Sequence, residues 1–223
     1  MAIKRNALVT LALGILAIGT AAAQKPERTP PSPQTMAALS ELKTTMSSWA
    51  QSNVLPSLRS WKSKLDGAMS AGDLQTLNGL RARAATLRKD MAAGMREMKK
   101  GDRQANREKM KGFGDQRKAI MEELKPLATK YRPTLESLAE EAKPKFEEWK
   151  KSGLEIAQKW YAENKDVLGD RGGEMLQHGL GFMGKMDGQR MKQMAAAYFM
   201  LWDGGDPIEQ LQQEMGGNGP SLD

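Results

Sequence analysis

"MSAGDLQTLNGLR", residues 69–81, specifies the start of a helix in three ways at once. Ser70 fills the N-cap, Asp73 stands at N3 where a carboxylate can reach back as in a capping box, and Met69 and Leu74 take the N′ and N4 positions of a hydrophobic staple. The helix opened in this way keeps one period. Leu77, Leu80, Ala84, Leu87, Met91, Met95 and Met98 recur at three and four residues and form a single apolar stripe.

The same period runs outward in both directions. Upstream, Met36, Leu39, Leu42, Met46 and Trp49 lead into Leu55, Leu58, Trp61 and Leu65 across Pro56, which gives one kinked helix or two in succession, closed at Asp66-Gly67. Downstream, Lys100-Gly101-Asp102 breaks the pattern, and Asp102 caps a third segment reaching from Met110 through Phe113, Ile120, Leu124, Leu127 and Tyr131 to Phe146 and Trp149. Pro126, Pro133 and Pro144 interrupt that segment. At about 100° per residue their spacing returns them to one azimuth within roughly 20°, about 150° from the apolar stripe. All three rings therefore face solvent on one long helix curved toward its apolar side, or else each proline opens a short helix of its own. No run alternates as a sheet strand does. The fold class is all-α: long antiparallel helices, partly kinked and curved, in a hairpin, bundle or cradle.

Composition marks the remaining boundaries. Residues 1–23 carry Lys4 and Arg5, an apolar run from Ala7 to Ile18 and small residues ending at Ala23, the three parts of a secretory signal. Residues 24–35 hold four prolines and read as a disordered tether. Residues 36–165 form the long-helix domain, 166–215 a Gly- and Met-rich helical part whose main helix ends at Gly204-Gly205, and 216–223 a loose tail. After the signal no segment is long enough to cross a bilayer. The expected location is the periplasm or the exterior.

Chemistry is easier to exclude than to assign. With no cysteine, the exported chain has neither disulfides nor thiolate sites, and His178 is the sole histidine, with no serine set beside it by a nucleophile motif. The paired glutamates 140–141 and 147–148 read as solvated helix surface. No enzyme and no cofactor is expected. "GLGFMG", Gly179 to Gly184, matches a dinucleotide-binding string but lacks the preceding strand that would give it meaning. Met175, His178, Met183, Met186, Met191 and Met194 could offer soft ligands to Cu(I), although methionine at helical spacing ordinarily fills a core.

Charge gives the positive signal. Between Arg81 and Lys118 there are thirteen Lys/Arg against five Asp/Glu, whereas Ala119 to Asp223 carries thirteen against eighteen. Export, interspersed acids and the lack of an aromatic-interleaved basic motif argue against nucleic acid. A groove for acidic or unfolded polypeptide fits better, with a solvated helix face as the plain alternative.

The cap at Met69-Ser70-Ala71-Gly72-Asp73 and the adjoining "LNGLRARAATLRKDMAAGMREMKK" resemble the Spy/CpxP family of bacterial periplasmic proteins, whose L-T-x-x-Q motifs open arginine- and methionine-rich helices. The likeness spans roughly residues 60–124, without a literal L-T-x-x-Q or a second copy. It implies an all-helical, cradle-shaped protein, able to pair as a homodimer, that binds unfolded client polypeptides without ATP. On this reading Arg81, Arg88, Met91, Met95, Arg96, Met98, Lys99 and Lys100 form one basic, flexible client-binding surface. The other readings are an envelope structural or adaptor protein with one dedicated partner, and a Met-rich copper binder.

Overall fold

The computed structural model describes residues 32–98, 103–185 and 196–206, without the side chains of 95, 96, 98, 103 and 169–185. Helices α1 (Pro33–Asn53), α2 (Leu55–Gly67), α3 (Ala71–Met98), α4 (Arg103–Lys130) and α5 (Arg132–Lys185) succeed one another, and the described residues 196–201 are helical and are called α6. Every regular element among the described residues is helical. None of these helices is long and apolar enough to cross a membrane.

Helix α1 starts earlier than composition suggested. Ser32 is its N-cap, accepting from the Thr35 amide on Oγ at 3.1 Å, and Pro33 takes N1. A missing N–H is harmless there and the fixed φ already suits a helix, so the last residues of the 24–35 segment belong to α1. Asn53 ends α1, yet the i→i+4 ladder passes through Val54, whose amide bonds to Ala50 O while its carbonyl takes the Leu58 amide. Pro56 sits in the first turn of α2, the two-helix form of the expectation.

The three prolines behave in two ways. Pro133 lies in the first turn of α5, just beyond the single break at Tyr131, whereas Pro126 and Pro144 are carried inside α4 and α5. All three are exposed, as are Glu122 and Glu140 four residues before the interior pair. Carbonyls deprived of a helical donor can turn to water on that side, which is why the helices persist. The 54-residue α5 also runs past residue 165, where composition changes, to Lys185. Its glycines each cost about 1 kcal/mol of helix propensity, too little to end a helix of that length. "GLGFMG" thus lies within helical backbone, and the residues it would need as a strand are helical too.

Packing groups the described residues into two compact units that cut across the 36–165 and 166–215 segments: those within 32–60 and 137–185, and those within 61–136 and 196–206. In the first, α1 and the later part of α5 run antiparallel. Thr35 donates from Oγ1 to Val167 O, Trp160 donates from Nε1 to Ala38 O, and Gly153 faces Met46 and Trp49. Ala38, Leu42, Met46 and Trp160 form its core, flanked by Leu39, Trp49, Ile156, Tyr161 and Leu168.

In the second unit α3 and α4 form the hairpin. Asp73 meets Lys130, Arg83 meets Glu123, Gly94 approaches Phe113, and Glu97 meets Lys109, so each advance along α3 is matched by a retreat along α4. Leu77, Leu80 and Leu124 are essentially fully buried, each worth roughly 1.5–3 kcal/mol.

Candidate functional site

Two polar clusters organise the second unit, and both begin with residues singled out by sequence. At the start of α3, Ser70 Oγ accepts from the Asp73 amide at 3.2 Å and donates to the Asp73 carboxylate at 2.7 Å. The reciprocal half of the capping box is not direct. The Ser70 amide donates to the Tyr131 hydroxyl at 3.0 Å, and that hydroxyl donates to Asp73 Oδ2 at 2.6 Å. Tyr131 is thus inserted into the box and ties the first turn of α3 to the end of α4. Hydrogen bonds from Lys130, then Tyr131 and Ser70, hold the Asp73 carboxyl well below the usual carboxylate range.

The second cluster centres on Arg81, expected on an open client-binding surface. It is 4% exposed. Its guanidinium grips the Asp66 carboxylate with two hydrogen bonds, at 2.7 and 3.1 Å, and reaches Asn78 Oδ1 at 3.0 Å. Nε donates to the main-chain carbonyl of Met200 at 2.8 Å. Burial raises the Asp66 pKa, but hydrogen bonds from Arg81 and Lys62 outweigh it, and the carboxyl stays below its ordinary value. The position was legible: Arg81 lies four residues beyond Leu77 and three before Ala84, on the buried stripe itself. A buried arginine needs a carboxylate and other acceptors, and only the fold supplies Asp66 and Met200.

The other members of that expected surface divide. Arg88 and Met91 are half-buried. Met95, Arg96 and Met98 lie on α3 with side chains outside the described residues, as are Lys99 and Lys100 entirely. The copper candidates Met175, His178 and Met183 lie on the backbone of α5, their side chains outside the described residues, and Met186, Met191 and Met194 fall outside them altogether. Among the described residues no cluster of three His, Cys, Asp or Glu could hold a metal ion.

What the hairpin does present is a basic stripe on α4. Arg107, Lys111, Lys118 and Lys125 are all exposed. At about 100° per residue they fall within roughly 40° of one azimuth, on the side away from Phe113, Ile120 and Leu124. Glu108, Asp115 and Glu122 lie to one side of the stripe, and Met110, 43% exposed, to the other. The surface expected from sequence lay on α3, whose Arg81 is buried and whose Arg83 is bound to Glu123.

Compared with family models, with curated proteins and with solved structures, the chain matches none.

Proposed function

We propose that this chain is an exported, ATP-independent holder of unfolded or acidic envelope polypeptides, of the kind its likeness to Spy/CpxP proteins implies. The observation that carries this reading is the α4 stripe. Four Lys/Arg side chains stand in line on a helix face, flanked by Glu108, Asp115 and Glu122 on one side and by an exposed methionine on the other. Such a face attracts acidic segments over about a Debye length, and the thioether adapts to whatever apolar side chain arrives. Nothing in that contact requires nucleotide hydrolysis.

The test is aggregation of a reduced globular protein in the presence of the full chain. Light scattering should fall at near-stoichiometric ratios and recover as salt is raised to about 0.5 M, where the Debye length is short. Arg107→Glu/Lys111→Glu/Lys118→Glu, all surface positions, should keep the circular dichroism of the parent and lose most of the suppression. No suppression at several-fold excess rejects the reading and favours a structural or adaptor protein, for which the stripe is only a solvated face.

A further inference from the structure

Among the described residues Met36, Met110, Val167 and Tyr198 are the exposed large apolar side chains, and the two in the second unit belong to one flank of α4. Met110 stands on α4 itself. Tyr198 comes from α6, whose Ala197, Phe199, Met200 and Leu201 are buried, so its ring is set in place by the core beneath it. The Arg117 guanidinium, 5.9 Å from the ring centroid, ties Tyr198 to α4. At about 100° per residue, Met110, Gly114, Arg117 and Met121 fall within roughly 60° of one another, between the buried side of α4 and its basic stripe. Gly114 leaves a gap in this lane, since a Cβ built on it meets nothing within 4 Å, and Met121 beyond it is half-buried. The nearer members of the stripe, Arg107, Lys118 and Lys125, border the lane, while Glu108, Asp115 and Glu122 lie on the stripe's far side. Single exposed apolar groups are ordinary on a surface, but their place beside cations is selective. A purely apolar ligand would strip water from the lysines without replacing it, and a purely acidic one would leave the thioethers and the ring uncovered.

We infer that this lane on α4, from Met110 across Gly114 to Met121 and Tyr198, is the docking surface for polypeptide segments in which aromatic or aliphatic side chains are interspersed with carboxylates. The apolar group enters the gap at Gly114, against flexible methionine chains that adapt to its shape, and the carboxylates reach the stripe alongside. The inference rests on the proposed holding function and names its substrate class. It asks for no movement of 196–206, which stays in the core of the second unit.

The chain has no cysteine, so Gly114→Cys supplies a single thiol for an environment-sensitive dye. Gly79→Cys supplies the control, because Gly79 is an exposed glycine of α3 whose Cβ would also meet nothing. Synthetic peptides are titrated into the labelled full chains: one interspersing Glu with Phe and Leu, one with Lys in place of Glu, and one with Ser in place of Phe and Leu. The first should shift the emission at 114 to the blue, leave that at 79 unchanged, and bind about fivefold or more tighter than either of the others. Met110→Ser and Tyr198→Ser, both at exposed positions, should each weaken it by about threefold. A serine peptide that binds as tightly overturns the inference, because the stripe alone then suffices. So do a lysine peptide of equal affinity, serine variants that bind like the parent, equal dye responses at 114 and 79, or no binding at all. A chain that keeps the expected order and yet fails to suppress aggregation retains the lane and loses the holding function, so the two readings fail separately.

Discussion

The Tyr131 hydroxyl serves as acceptor and donor at once, taking the Ser70 amide and giving its proton to Asp73. Removing it leaves an N-cap amide without its partner in a partly buried place, so Tyr131→Phe should lower stability by about 1 kcal/mol. A urea midpoint unchanged from the parent would show that water replaces the phenol. Arg81 makes a larger demand. Lysine can keep the charge but not the planar fork that meets both Asp66 oxygens while Nε reaches Met200. Arg81→Lys should therefore cost about 2 kcal/mol in urea denaturation, and a cost below a few tenths would mean that the guanidinium geometry is incidental.

At the scale of elements, glycine separates helix propensity from helix contact. Gly79 lies inside α3 with nothing within 4 Å of a Cβ built on it, so Gly79→Ala should stabilise the chain by about 0.5–1 kcal/mol. Gly94 lies on the same helix where it crosses α4. A Cβ there would stand 3.0 Å from two ring atoms of Phe113 and from Lys109 Cε. Lysine can move aside, but the buried ring is fixed by its neighbours, and crowding of this kind costs roughly 1–3 kcal/mol, more than the propensity gain. The two alanine variants should shift the thermal midpoint in opposite directions. A stabilised Gly94→Ala would mean that α3 and α4 separate without penalty.

The whole molecule inherits a pH response from its ion pairs. Asp66 stays below its ordinary pKa because hydrogen bonds from Arg81 and Lys62 outweigh the opposing effect of burial. Asp73 is lowered first by Lys130, Glu97 by Lys109 and Glu123 by Arg83. A carboxylate with a lowered folded-state pKa adds stability above its unfolded value, near 4, and loses that contribution as pH falls through the folded value. All four belong to the 61–136 unit. Acidification from pH 6 to pH 3 should then release amide protection at Leu77, Leu80 and Leu124 before it does so at Leu42 and Met46 of the other unit. Hydrogen exchange read by mass spectrometry checks this, and the reverse order contradicts it.

Local rules account for the helices themselves. The start of α3 at Ser70, the solvent side of the three prolines, the stop at Asp66-Gly67 and the end of α6 before Gly204, whose φ is +97°, all come from capping, azimuth and left-handed backbone preference. The start of α1 was equally legible in Ser32-Pro33 and needed only that the proline be read as N1. Partners across the fold were not legible, because they depend on which turns of distant helices come level. The antiparallel register of α3 and α4 slides Tyr131 into a capping box written about 60 residues earlier, and it carries Glu123 to Arg83. Arg81 shows the difference most directly. Its place on the buried stripe is a matter of spacing, but Asp66 and the Met200 carbonyl are brought to it from 15 and 119 residues away, and only that arrangement turns a candidate surface charge into a buried anchor.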